Sequence, residues 1–286
     1  MIDLHTHSTA SDGSLTPSAL IDLAVDRKLL AIALTDHDTV AGIPEAEARA
    51  AEKGIRFIRG VEIEIAFAPG EFHLLGLDIR VLDGELGHAL TGLGAARAQR
   101  NRRIVERIVE AGIPATMGEL ETIAGLKPGE GRAAAAAMRI GRPHIASLLV
   151  SKKAAKNRQD AFDRYIGKGR PFYEPKECLP LVEAIRLVKE SGGLAIVAHP
   201  YSLFVSKGRL ASLLDEWKEL GIDGIEAFHP TAKLGQCRIL ERLARARDFR
   251  VTAGSDYHGL IRPERKLGLT AGRIPIADEF LEELKR

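Results

Sequence analysis

Cysteine is nearly absent: Cys178 and Cys237 are the two in the chain, and they form no Cys-x-x-Cys pair, which fits a reducing compartment better than a disulfide scaffold. Aromatic residues make up 5% of the chain, too few for the stacking platforms that hold extended single strands, so short substrates are favoured. No apolar run approaches the roughly 20 residues that span a bilayer, which argues against a membrane protein. The chain opens directly on residues able to bind metal and leaves no room for a signal peptide, so a cytoplasmic location is expected. There is no short-period repeat and no low-complexity tail.

An excess of one charge is missing too, since 41 Lys and Arg face 39 Asp and Glu, for a net +2. The balance is not local. Residues 97–168 hold 15 basic and 7 acidic side chains, which leaves the remainder acidic. A basic segment on a carboxylate-bearing body suggests an anionic substrate held from one side; a solvated Arg-rich helix face is the plainer alternative.

What is present is an alternation of strand and helix. Thr16-Pro17 opens an amphipathic helix over 17–28, with Thr16 as N-cap and proline at the first helical position. A buried strand over 29–34, a helix over 43–53 and a strand over 55–62 follow; the last runs on towards 67, turns at Pro69-Gly70 and returns over 72–78. From 85 to 168 the pattern reads as all-helical, including a long helix over 85–112, an alanine run at 133–137 and a helix starting near Pro143. Alternation then resumes: helix 181–190, strand 194–198, helix 208–220, strand 224–228, helix 232–247 and strand 250–254. The expected fold class is α/β, a parallel-sheet barrel over 1–97 and 169–286 with a helical lid inserted at 98–168.

Chemistry-bearing residues collect at the strand ends. His5 and His7 flank Thr6, so alternation points both imidazoles the same way, and Asp12 arrives on an Asp-Gly turn. His37 closes the second strand and Glu62 the third, while His73 on the return strand can share the face of Glu62. His199, Asp256 and His258 end later strands, and the C-terminal strand ends of a parallel barrel meet on one face. This set takes six of the nine histidines. Imidazoles and carboxylates together suit Zn, Mn or Fe, and nine donors exceed what one tetrahedral ion can use. Two or three divalent ions, bridged by Glu62, would use them all; such ions acidify a bound water and offset charge on a phosphoryl transition state. Asp36 and Asp38 read as helix caps or as acceptors behind a metal-bound imidazole. His229 reads as a substrate contact, a proton donor or a structural residue, and His88 as a surface residue.

The ordered patches His5-Thr6-His7 with Asp12-Gly13, Thr35-Asp36-His37, Gly60-Val61-Glu62, Ala198-His199-Pro200 and Gly254-Ser255-Asp256-Tyr257-His258 resemble the polymerase and histidinol phosphatase (PHP) family over essentially the whole chain. That resemblance implies a distorted (β/α)7 barrel and up to three metal ions, Mn²⁺ foremost with Fe²⁺ or Zn²⁺ as alternatives. Carried over by position, His5, His7, Glu62 and Asp256 would hold the first, Glu62, His73 and His199 the second, and Asp12, His37 and His258 the third. The patches Gly141-Arg142-Pro143-His144-Ile145-Ala146 and Tyr165-Ile166-Gly167-Lys168-Gly169 resemble the branch of nucleoside 3′,5′-bisphosphate phosphatases, some of which also trim RNA as 5′-to-3′ exoribonucleases.

The resemblance therefore implies removal of the 3′-phosphate from a nucleoside 3′,5′-bisphosphate, such as the adenosine compound, by in-line attack of metal-bound hydroxide. Arg142 and His144, at an expected helix N-terminus, and Lys168 are the expected grips on the 5′-phosphate. Short single-stranded RNA is the other implied partner. A histidinol-phosphate-type phosphatase is the first rival, and it has little use for a basic lid. A metal-stabilised module associated with nucleic acid is the second, and loss of ligands would favour it. An amide-hydrolysing barrel enzyme shares the His-x-His but leaves Asp12 and His258 unexplained.

Overall fold

The computed structural model describes residues 1–129 and 137–285. Of the alanine run 133–137, only the last residue falls within that range.

Seven strands among the described residues lie side by side in chain order: β1 (Ile2–Asp3), β2 (Ala31–Leu34), β3 (Arg56–Ile65), β4 (Phe72–Leu77), β5 (Leu194–Ala198), β6 (Gly224–Phe228) and β7 (Arg250–Ala253). β4 runs antiparallel to β3 and β5, and the other neighbours are parallel. Beyond the ends of β1 and β7, Thr6 bridges Tyr257 and the His7 amide donates to the Tyr257 carbonyl at 2.9 Å. The sheet thus nearly closes into the expected α/β barrel. Buried Asp3 fastens the seam, accepting from the amides of His5 (3.3 Å), Ser255 (3.0 Å) and Gly268 (2.7 Å) and from the Ser255 hydroxyl. Burial pushes its carboxyl up to about 6 although these donors pull the other way.

The helices form where the pattern puts them, with ends set by local backbone chemistry. In α1 (Pro17–Asp26) the Thr16 hydroxyl accepts from the Ala19 amide at 3.2 Å. This helix buries Leu20, Ile21 and Ala24 in one cluster with Ile32 and Leu34 of β2 and Ala46 and Ala50 of α2 (Ile43–Lys53). It stops short of the expected boundary at 28 because Lys28 takes φ 59° and reverses the chain. Leu30 is left exposed, so β2 starts at Ala31 and is buried along its whole length, as a covered parallel strand should be. Farther on, α7 (Leu181–Glu190), α8 (Lys207–Glu219) and α9 (Leu234–Arg245) fall close to the expected spans. Trp217 of α8 is buried with its ring 5.3 Å from that of Phe72 on β4; such an aromatic pair contributes about 0.5–1.5 kcal/mol beyond its buried area.

By contacts the chain forms two compact units, residues 1–88 with 178–286, and residues 89–177. The segment expected as an insert, 98–168, falls inside the second stretch. That unit has an apolar cluster of its own: Ile104, Val105 and Ile108 of α3 (Glu85–Glu110), Leu120 of α4 (Met117–Ile123), and Ile145 and Leu148 of α5 (Arg142–Ser151). A short α6 (Arg158–Ala161) follows. Among the described residues no helix is long and apolar enough to cross a membrane.

Gly254, just past β7, marks how closely the seam is packed. A Cβ there would fall 2.2 Å from the His5 Cβ and 2.6 Å from Glu226 Oε1. Gly254→Ala should therefore destabilise the protein by about 1–3 kcal/mol, the usual cost of overpacking. Urea unfolding would register this as a lower midpoint, and an unchanged midpoint would show that the seam yields freely.

Candidate metal centre

Strand register places the donors. On the β3–β4 ladder His73 lies opposite Glu64, so Glu62, two residues along, shares its face of the sheet. His73 also lies opposite Ala198 of β5, which brings His199 alongside, its Nε2 3.4 Å from His73 Nδ1. Glu62 sits among five imidazoles. Its Oε1 is 2.8 Å from His73 Nδ1 and 2.9 Å from His199 Nε2; its Oε2 is 3.3 Å from His5 Nε2, 3.2 Å from His7 Nε2 and 3.1 Å from His37 Nδ1.

Two further carboxylates complete the set. Asp256 Oδ1 is 3.1 Å from His7 Nε2, 3.6 Å from His5 Nε2 and 3.3 Å from His258 Nδ1. Asp12 Oδ1 is 3.2 Å from His258 Nε2, and its Oδ2 is 4.0 Å from His37 Nε2. Donor atoms of His5, His7, Glu62 and Asp256 all lie within 4.8 Å of one another, as do those of His7, Asp12, His37 and His258, and those of His37, Glu62 and His73. The first group is the first expected ligand set; the second is the third expected set joined by His7. Glu62, His73 and His199 are equally compact by the distances above.

The arrangement suits cations. Ring nitrogens of His5 and His7 face each other at 3.1 Å, and His7 Nδ1, Glu62 Oε2 and Asp256 Oδ1 are buried with no hydrogen-bond partner among the described residues. Unpaired buried polar atoms are costly unless an ion or water meets them. Outer hydrogen bonds orient the rings: His5 Nδ1–H donates to Glu226 Oε1 at 3.0 Å, His199 Nδ1–H to the Ser202 hydroxyl at 2.9 Å, and His258 Nδ1–H to the Asp256 carbonyl at 2.8 Å. Each turns its Nε2 toward the centre, the usual way a protein orients a metal-binding imidazole. His199 and Asp256 also adopt left-handed backbone (φ 30° and 50°), a strain of order 1–3 kcal/mol each that persists where the surroundings impose it.

Protonation follows from the crowding. Burial opposes charge on His5, but Glu226, Glu62 and Asp256 outweigh it and hold the ring well above its usual range. Burial likewise opposes His7, and Asp256 and Glu62 bring it up to about 10. Burial pushes His37 down to about 4. Against burial, the surrounding imidazoles hold Glu62, Asp256 and Asp12 well below the usual carboxylate range, His37 being the first contributor for Glu62 and Asp12 and His5 for Asp256.

The centre opens into a pocket of about 270 Å³, lined among others by His73, His199, Tyr201, Phe204, Arg262 and Arg265. Sequence reasoning missed several of its parts. Glu226 is a lone charge in the apolar strand Gly-Ile-Glu-Ala-Phe, a signal that the residues do carry; its Oε2 also accepts from the His199 amide at 2.9 Å. Arg265 is buried with its guanidinium on Asp256 Oδ2, and nothing in its sequence neighbourhood announces it.

Asp36 is neither a helix cap nor an acceptor behind an imidazole: it takes hydrogen bonds from the Ser8 amide (2.7 Å), the Ser8 hydroxyl (2.7 Å) and the Ser11 hydroxyl (2.6 Å), pinning the loop that carries Asp12. Asp38 accepts from the Glu64 amide at 3.0 Å. His229 Nε2 lies 3.1 Å from Asp256 Oδ2. Arg142, His144 and Lys168 belong to the second unit. There Arg142 and Lys168 are exposed, and His144 Nδ1 accepts from the Gly141 amide at 3.1 Å, capping its own helix.

Residues 3–105 match the PHP domain family. The chain is 34% identical to a 5′-3′ exoribonuclease of Haemophilus influenzae, over 97% of this chain and 98% of that protein. It is 31% identical to a 3′,5′-nucleoside bisphosphate phosphatase of Chromobacterium violaceum, over 99% and 96%. Its fold is similar to the solved structure of a Bifidobacterium adolescentis protein named, on prediction, a metal-dependent phosphoesterase, with a TM-score of 0.78, 31% identity and coverage of 99% and 94%.

Glu226→Gln keeps the size of the side chain but removes the charge that orients His5. It should weaken binding of divalent ions about 10–100-fold, the usual cost of losing such a partner. A titration of metal-stripped protein reads this directly, and wild-type affinity in the variant would take Glu226 out of that role.

Proposed function

The chain belongs to the PHP family, and on that premise we propose that this hydrolase of phosphate esters removes the 3′-phosphate from nucleoside 3′,5′-bisphosphates, leaving the nucleoside 5′-monophosphate. The carrying observation is Glu62 shared by five imidazoles at the floor of a small pocket. That pocket, at about 270 Å³, falls just below the roughly 300–1,000 Å³ usual for ligand sites, which favours a single nucleotide over a long strand. The bisphosphate phosphatase relative, similar over nearly the whole chain, supports the same substrate class. A second reading has its own support in the exoribonuclease relative: release of the 5′-terminal nucleotide from short RNA at the same centre.

Divalent ions held by the nine donors, Mn²⁺ foremost as the family resemblance implies, would lower the pKa of water and offset negative charge on the phosphoryl oxygens. The chain's own residues do the rest. Glu62 and Asp256 supply the negative charge that balances such ions, and Glu226, Ser202 and the Asp256 carbonyl fix the rings. Arg262, exposed on the pocket wall, is placed to receive a second phosphate. His229 Nδ1 accepts from the Thr231 amide at 3.3 Å, which leaves its Nε2–H to donate to Asp256 Oδ2 at 3.1 Å. We therefore assign His229 to holding Asp256 in place rather than to delivering a proton.

Metal-replenished protein should hydrolyse adenosine 3′,5′-bisphosphate at least tenfold faster (kcat/KM) than histidinol phosphate, about 1.4 kcal/mol of discrimination, and a chelator should abolish the activity. Preference for histidinol phosphate would overturn the proposal, and faster release of mononucleotide from short 5′-phosphorylated RNA would favour the second reading. Arg262→Ala should raise KM for the bisphosphate about tenfold while changing KM for a 3′-monophosphate much less, as expected on losing a charged hydrogen bond. The same comparison on Arg142→Ala tests the expectation for the second unit.

A further inference from the structure

Phe204 is held where a folding argument would not put it. Of the nine phenylalanines it is the one that is exposed, at 76% of its surface, and its backbone is left-handed at φ 52°. An outward ring gains nothing from burial, and a left-handed conformation is sterically unfavourable for any side chain with a Cβ. The segment is nonetheless built firmly. Residues Pro200–Leu203 make a tight 3₁₀ turn whose Ser202 hydroxyl donates to the Glu71 carbonyl at 2.8 Å, while the Glu71 amide donates to the Ser202 carbonyl at 2.9 Å. Gly70 approaches so closely that a Cβ there would lie 2.4 Å from the Leu203 carbonyl carbon. On the other side the Tyr201 hydroxyl donates to the Gln236 carbonyl at 2.9 Å, and Leu203 beneath is buried.

The same turn begins at His199 and lines the pocket that the metal centre floors, so the ring stands at the rim of the site on a fixed mount. We propose that Phe204 is the platform on which the nucleobase of the substrate stacks. With a phosphate on the floor and the sugar between, the base is the part of a nucleotide that reaches a rim, and its π-face is the surface an exposed ring can match. Stacking tolerates any base, so the contact selects nucleosides over other phosphate esters without choosing among bases. This rests on the bisphosphate reading above and adds to it the residue that recognises the base.

The test compares adenosine 3′,5′-bisphosphate with 1-O-methylribose 3,5-bisphosphate, which lacks the base. In Phe204→Ala the ratio of kcat/KM between the two should fall about tenfold, in line with the loss of one base–aromatic stack. Phe204→Trp should keep that ratio. Its new indole emission, set against the buried Trp217, should be quenched by adenosine 5′-monophosphate and not by ribose 5-phosphate. An unchanged ratio in Phe204→Ala, or equal quenching by both ligands, overturns the platform and leaves the bisphosphate reading standing. A wild type that turns over neither bisphosphate yet hydrolyses another ester removes the substrate reading and the platform with it.

Discussion

A carboxylate with almost no solvent exposure, facing five imidazoles, is the constraint around which this protein is arranged. Buried alone, the charge of Glu62 would be prohibitively costly; surrounded by nitrogens that can each give a proton or a lone pair, it becomes the point where positive charge must gather. That requirement dictates geometry. Imidazoles from four separated stretches of chain have to end within reach of two oxygen atoms, and only strand ends meeting on one side of a barrel can deliver them. The reversed strand β4 serves the same end, because an antiparallel return brings His73 back to the level of Glu62.

Around that centre lies a ring of residues whose task is orientation. Glu226 and Ser202 hold the outer nitrogens of His5 and His199, and Asp36 holds the loop that presents Asp12. The left-handed turns at His199 and Asp256 belong to this layer as well: a strand that continued straight would carry both side chains past the site. Their strain is borne by the barrel core, where β2 is wholly buried and Trp217 packs on Phe72. Precision at the donors thus comes from parts of the molecule that never meet a substrate.

Much of this is legible in the residues. Helices with clear amphipathic periods and polar caps, such as the one that starts after Thr16, declare themselves, and histidines repeated at strand ends mark one shared site. Less is legible where the cause is not local. The early stop of α1 depends on Lys28 turning left-handed, which no hydrophobic period records. Arg265 and Asp3 act through partners 9 and 252 residues away in the chain, and Asp36 departs from its expected role because its donors, Ser8 and Ser11, belong to another loop. Glu226 differs from these: a single acid inside an otherwise apolar strand is an anomaly visible without any structure. Long-range pairing is what spacing hides, and it is also what joins the ends of this barrel.

That joining has a consequence for how the molecule is made. The donors begin at His5 and end at His258, and Asp3 reaches forward to Ser255 and Gly268. While the ribosome is still translating, the first two histidines wait in a nascent chain whose matching aspartate has not yet been synthesised. Only when the stretch from Ser255 to Gly268 emerges can the early and late segments find each other. Any premature stop before that point therefore yields a product that holds most of these side chains and none of the finished cluster.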